Sequence, residues 1–176
     1  MNSFEIEQKY TIKNPARIRQ VLKRFKARKL HRGHEINDLL DFKGELRKHK
    51  KVLRLRRNGN GSGLMTFKGP RMKSGRFKKR LEVETPVDFE KAQKIFELLG
   101  FNVARHYEKY REEYALGTAH VTLDRLKGFG WFVEIEASPA QIHSIAKRLG
   151  LSEKDQEDRT YLEILAKKRE KAWLKF

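Results

Sequence analysis

Cysteine is missing from the chain altogether. Its absence excludes a disulfide framework and any thiolate zinc site, and it accords with a reducing compartment. Also missing is any apolar run near the ~20 residues that a helix needs to cross a bilayer. Patterned sequence from Phe4 onward leaves no room for a signal peptide, so the expectation is a soluble, cytoplasmic protein with no membrane association. There is no internal repeat and no long low-complexity segment. Acidic residues are in deficit, with 23 Asp and Glu against 41 Lys and Arg, a formal charge of +18. Such an imbalance attracts polyanions, among them nucleic acid, nucleotides, polyphosphate and anionic membrane, without choosing between them. The 176 residues suit one domain spanning 1–176, large enough to bury a core unaided by disulfides or a structural metal.

What is present is a regular alternation of two patterns. Four stretches read as helices. Asn14-Pro15 forms an N-cap and first-turn pair ahead of Ile18, Val21, Leu22 and Phe25 at helical spacing. Asp88 caps a helix carrying Phe89, Ala92, Phe96 and Leu99, ended by Gly100. Ser138-Pro139 starts a third, with Ile142, Ile145, Ala146 and Leu149 before Gly150. Thr160 and Glu163 make a capping-box pattern that opens a last helix and a basic tail from about residue 160.

Between the helices lie seven period-two stretches: EIEQKY, VLRLRR, LMTFK, FKKRLEVE, ARHYEKYRE, HVTLD and WFVEIE. The glycine-rich NGNGSG at 58–63 reads as a hairpin loop. It is no phosphate-binding P-loop, because no Lys-Ser/Thr follows and no helix opens there.

Side chains two apart on a strand share a face. One face of these strands groups Glu5, Glu7 and Lys9; Arg54 and Arg56; Thr66 and Lys68; Lys78, Arg80, Glu82 and Glu84; Lys109 and Arg111; Asp124; and Glu134 and Glu136. The opposite face carries Phe4, Ile6, Leu53, Leu55, Met65, Phe67, Leu81, Val83, Val121, Leu123, Val133 and Ile135. A single strand of this kind is an ordinary half-wet sheet. Strand after strand of paired like charges is different, since such pairs repel unless a counter-ion lies between them. Paired carboxylates suit a divalent metal, and paired Arg and Lys suit phosphate. The pattern therefore fits an α+β protein whose sheet closes into an antiparallel barrel, charges inside, about four helices covering the apolar outside. The charged face holds eight cations and seven carboxylates, so nearly all of the +18 lies elsewhere.

EIEQKY resembles the E-x-E-x-K signature of the CYTH superfamily, the triphosphate tunnel metalloenzymes. LRLRR, TFKGP, RLEVE, EKYRE, Leu123-Asp124, FVEIE and RTYLEIL resemble that family's remaining motifs, in its order and over nearly the whole chain. TFKGPR and LDRLKGFGWFVEIE are most similar to the class IV adenylyl cyclase-like branch, whereas NDLLDF departs from the family's aromatic-rich segment. The resemblance implies an eight-stranded tunnel holding Mg²⁺ or Mn²⁺ and a triphosphate such as ATP or inorganic triphosphate. It implies metal-site roles for Glu5, Glu7, Asp124, Glu134 and Glu136, and phosphate contacts from Lys9, Arg54, Arg56, Lys68, Arg80, Lys109 and Arg111. Lys9, Arg54, Arg56, Lys109 and Arg111 are the candidate catalytic set. Glu82 and Glu84 serve either a second metal or an ion pair with Arg80.

The implied reaction is cyclisation of ATP to cyclic AMP and pyrophosphate, or hydrolysis of an inorganic, nucleoside or thiamine triphosphate. No single residue separates the two. Lys9 suits phosphate contact better than base catalysis, because Glu5 and Glu7 beside it favour its charged form. The rival from another class is a non-catalytic binder of polyphosphate or RNA, which the paired carboxylates oppose. His31 and His34 lack metal-site spacing, and His106 and His120 read as polar wall residues. A second copy of the chain, and a polyanion on the basic surface, complete the partners to consider.

Overall fold

The computed structural model describes residues 3–74 and 77–166; the side chains of residues 3, 4, 73, 74, 77 and 78 lie outside that description, as do the basic tail and the inward and outward placements expected of Lys78 and Phe4. Nine strands form one antiparallel sheet: β1 (Ser3–Ile12), β2 (Arg28–Asp41), β3 (Val52–Asn58), β4 (Gly63–Lys68), β5 (Met72–Ser74), β6 (Phe77–Val87), β7 (Asn102–Leu116), β8 (Ala119–Leu126) and β9 (Gly130–Glu136). Their order is β1-β9-β8-β7-β2-β3-β4-β6, and a further β1–β6 pairing, from Ser3 opposite Glu82 to Glu7 opposite Lys78, closes the ring. Eight strands thus make a closed barrel, and β5 is a short hairpin partner of β6 outside it. Closure removes the edges that an open sheet would expose.

Helices surround the wall: α1 (Pro15–Arg24), α2 (Glu45–Lys48), α3 (Phe89–Leu98), α4 (Pro139–Leu149) and α5, helical over 161–166. The expected starts and stops are the observed ones. The Asn14 side chain accepts from the Arg17 N–H at 3.0 Å, and Asp88 accepts from Lys91 N–H at 3.0 Å. Ser138 and Gln141 form a reciprocal capping box, and Gly150 ends α4 with φ +71°, a conformation that costs glycine nothing. None of the helices among the described residues is long and apolar enough to cross a membrane.

Most of the apolar core lies outside the barrel. Tyr10, Val121, Leu123, Val133 and Ile135 point from β1, β8 and β9 onto Ile18 and Leu22 of α1 and Ile142, Ile145 and Leu149 of α4. A second layer packs Leu40 and Leu55 against Phe89, Ala92 and Phe96 of α3. Burial at roughly 25 cal/mol per Å² of apolar surface makes these two layers the main stabilising contacts of the fold. Because strand side chains alternate, burying this apolar face outward commits the other face, with its charges, to the lumen.

β2 is the strand the sequence does not announce. Its inward side chains include Glu35 and Asn37, and its outward ones His34, Ile36 and Asp38, so neither face is uniformly apolar. It pairs with β7 along nearly its full length and with β3 on its other side, which completes the ring.

Candidate active site

The lumen is a cavity of about 260 Å³ lined by seven cations, Lys9, Arg54, Arg56, Lys68, Arg80, Lys109 and Arg111, and seven glutamates. All seven are the cations expected from the strand pattern. They come from β1, β3, β4, β6 and β7, brought round one space by closure of the sheet. The glutamates are Glu5, Glu7, Glu82, Glu84, Glu134 and Glu136, as expected, and Glu113, which was not.

Each cation is held by an anion of the wall. Lys109 Nζ lies 2.9 Å from Asp124 and 3.5 Å from Glu35, and it is 2% exposed. Arg111 donates to Asp124 at 2.7 and 2.6 Å and to Glu134 at 2.7 Å. Arg56 pairs with Glu35 at 3.3 Å and donates to Asn37 Oδ1 at 3.1 Å. Arg54 donates to Thr66 and Glu84 at 3.0 and 3.2 Å. Lys68 lies 2.6 Å from Glu82 and 3.3 Å from Glu5, with Arg80 3.6 Å from Glu5. Lys9 lies 3.3 Å from Glu134, donates to the Arg159 carbonyl at 3.0 Å, and sits 3.9 Å from the Tyr161 ring centroid. Glu84 is thus an ion-pair partner of Arg54, and Glu82 of Lys68, where Arg80 was the partner expected.

Asp124, one of the residues expected at the metal, is placed differently from the four glutamates. It is fully buried and does not line the cavity, and its carboxylate accepts from Lys109, Arg111 and the Tyr161 hydroxyl at 2.7 Å. It anchors two lumen cations from behind. Next to it, Leu126, Phe132, Tyr107 and Tyr161 pack into an apolar plug at one end of the lumen.

The sequence reading passed over Glu35, which the structure places at the centre of the cationic wall. Burial alone would raise its pKa, but Lys109, Arg111 and Arg56 outweigh burial and hold it down to about 2. The signal that could have found it was lost with β2, the strand that carries it. Tyr161 falls within the RTYLEIL stretch that carries the resemblance, but no site role was expected of it. His120 does line the lumen and pairs with Glu113 at 3.0 Å, whereas His106 points outward to Asp38 at 2.7 Å.

The acidic side is different in kind. Glu7 stands directly opposite Glu136 across the β1–β9 ladder, and Lys9 opposite Glu134. Burial, then repulsion from Glu5 and Glu7, pushes Glu136 up to about 7. Burial also raises Glu82, aided by a hydrogen bond to Glu5. Glu5 goes the other way, because that same bond and the charges of Lys68 and Arg80 overcome its burial. Crowded, oxygen-only acids, among which Glu136 is raised by burial and its acidic neighbours, match the donor preference of a hard divalent cation. Among the described residues no three such groups are yet gathered around one point, so the fit lies in the chemistry of the donors, Glu5, Glu7, Glu134 and Glu136.

Comparisons with known proteins agree with this arrangement. The chain is 30% identical over 131 residues to a Methanocaldococcus jannaschii protein provisionally named an adenylate cyclase, covering 68% of this chain and 74% of that one. It is 31% identical over 112 residues to adenylate cyclase CyaB of Aeromonas hydrophila, covering 58% of this chain and 56% of that protein. A solved Vibrio parahaemolyticus structure, also provisionally named an adenylate cyclase, superposes with a TM-score of 0.83 at 28% identity, covering 94% and 99% of the two chains. A Hippeastrum protein reported to have dominant triphosphatase activity shares the fold, with a TM-score of 0.71 at 17% identity over 93% of this chain and 95% of its own. The CYTH domain family matches residues 3–161, and the chain belongs to that family.

Proposed function

We propose that the chain is a divalent-metal-dependent enzyme acting on a triphosphate, with cyclisation of ATP to cyclic AMP and pyrophosphate as its reaction. The observation that carries the proposal is the lumen itself, where seven cations converge on one small space beside a cluster of carboxylates that repel one another. The cyclase form of the proposal draws on the names of the relatives at 30 and 31% identity.

In this reading the substrate's phosphates take over from Glu5, Glu82, Glu84 and Glu134 as partners of Arg54, Lys68, Arg80 and Arg111 and add to Glu35 and Asp124 as partners of Arg56, Lys109 and Arg111, with Lys9 as a further contact. Guanidinium groups clamp phosphate oxygens two at a time. Glu35 and Asp124 stay behind the cations and fix their positions, so little reorganisation is needed as charge develops in transfer. Asp124 is therefore assigned to positioning. Glu5, Glu7, Glu134 and Glu136 would hold Mg²⁺ or Mn²⁺, which when bound polarises phosphoryl oxygens and offsets their charge. Cyclisation needs the ribose 3′-hydroxyl directed at the α-phosphorus, with pyrophosphate leaving. Hydrolysis needs only a water directed at a terminal phosphorus.

The second reading, a triphosphatase acting on inorganic triphosphate or a small nucleotide, is favoured by one observation. The lumen is small, and the Tyr107–Phe132–Tyr161 plug limits it at one end. Product analysis separates the two. Purified protein given ATP or inorganic triphosphate with Mg²⁺ or Mn²⁺ is expected to release cyclic AMP and pyrophosphate from ATP. Orthophosphate released fastest from inorganic triphosphate would replace cyclisation with hydrolysis. Turnover of neither, with metal-independent binding of both, would overturn the enzyme assignment.

A further inference from the structure

The lumen accounts for almost none of the +18, because its cations and carboxylates balance. A third of the excess lies in two helices. α1 reads PARIRQVLKR and α4 reads PAQIHSIAKRL; together they hold six Arg and Lys and no Asp or Glu. By contrast α3, FEKAQKIFEL, carries two of each sign.

The two basic helices make one continuous surface. They share the apolar layer of Ile18, Leu22, Ile142 and Ile145 beneath them. On top, the Arg17 guanidinium lies against Gly150, where an added Cβ would stand 2.9 Å from it. The Arg148 guanidinium stacks 5.1 Å above the Phe25 ring. Arg19 is occupied, bound to Glu112 at 2.8 Å. The others, Arg17, Lys23, Arg24, Lys26, Lys147 and Arg148, are all exposed, and among the described residues no carboxylate pairs with any of them. The nearby Asp155 is taken by the Ser152 N–H and hydroxyl.

We propose that the α1–α4 face binds the phosphate backbone of duplex nucleic acid, without reading sequence. A fixed array of unpaired cations on a rigid pair of helices suits a regular polyanion. Single strands are a poorer fit, since they are held by stacking on exposed aromatic rings, and the face's one exposed ring, Phe25, already lies under Arg148. A membrane is a poorer fit as well, because the apolar residues of both helices point inward to the barrel wall and leave nothing to insert.

The test is fluorescence anisotropy of a labelled DNA duplex titrated with the full chain over a range of salt concentrations. For three to six phosphates contacted, the log–log slope of affinity against salt is expected to be about −3 to −5. The variant Arg24→Ala/Lys147→Ala/Arg148→Ala should make the slope shallower by about one per residue removed. Its circular dichroism spectrum and its turnover of triphosphate should match the parent chain. The comparison variant Arg47→Ala/Lys48→Ala/Lys51→Ala removes equal charge from the turn before β3 and should leave the slope nearly unchanged. Equal losses in the two variants would assign binding to net charge and overturn the proposal. So would the absence of duplex binding at low salt, or binding to phosphatidylserine vesicles without binding to duplex.

Discussion

The lumen and the α1–α4 face use the same basic side chains under opposite conditions. In the lumen Lys109 is 2% exposed and tied to Asp124 and Glu35. On the helix face Lys147 and Arg148 stand in solvent with no carboxylate partner among the described residues. Desolvation explains the difference. A buried cation without an anion costs several kcal/mol, so the wall must supply a partner until a ligand does. An exposed cation keeps its hydration and needs none. The consequence is a lumen whose charges are coupled and a surface whose charges are nearly independent.

The largest effect is expected in the lumen. Arg111→Ala or Lys109→Ala should lower turnover about 100- to 1000-fold, the range seen when one pre-oriented transition-state contact is lost, measured as initial rate on the better triphosphate. Alanine at Arg24 or Lys147 on the helix face should leave that rate unchanged. A comparable loss at both sites would break the distinction.

Next in size is stability. Asp124→Asn leaves Lys109 and Arg111 with less counter-charge in a buried site and should cost about 3–5 kcal/mol, read by chemical denaturation. Added inorganic triphosphate should recover part of the loss, since its oxygens replace the missing anion. Single substitutions of Arg24 or Lys147 should stay within about 0.5 kcal/mol.

Acid should reveal the same coupling. Glu35 is held at about 2, against an ordinary value of 4.5, by Lys109, Arg111 and Arg56, which overcome its burial. A depressed carboxylate contributes stability that is complete above pH 4.5 and is lost as pH falls through the folded value. Stability should therefore drop between about pH 4.5 and pH 2, the two ends of that depression. Glu35→Gln should flatten that limb. A limb as steep in Glu35→Gln as in the parent would show that the lumen is not coupled through this residue.

The smallest effect concerns the acidic side. Glu7→Gln and Glu136→Gln should raise the Mn²⁺ concentration needed for half-maximal rate by about tenfold, near the lower bound for losing a group that supports a metal. A metal titration of activity checks this, and no change in either variant would move the metal site elsewhere.

Most of this division was legible in the sequence. Period-two charge pairs at Glu5-Glu7, Arg54-Arg56, Lys109-Arg111 and Glu134-Glu136 marked the inward face, and except at Lys109-Arg111 an apolar partner face fixes which way the strand turns. The caps at Asn14, Asp88 and Ser138 marked the helices because each supplies an acceptor to the first turn. β2 escaped because both its faces are largely polar, and Glu35 escaped with it. The depth of Asp124 escaped for another reason. A strand pattern tells which face a carboxylate occupies, but not whether it opens on the cavity or lies behind Lys109 and Arg111. The pairing of Glu82 with Lys68 likewise depends on register across β4 and β6, which alternation alone does not supply.

The most direct test of the account is ³¹P NMR of ATP and of inorganic triphosphate incubated with the full chain, with Mg²⁺ or Mn²⁺ and with a chelator, beside Lys109→Ala. The account predicts consumption of at least one triphosphate, stopped by the chelator and nearly abolished in the variant. Consumption that survives both the chelator and Lys109→Ala, or none under any condition, would contradict a metal-dependent triphosphate site in the lumen.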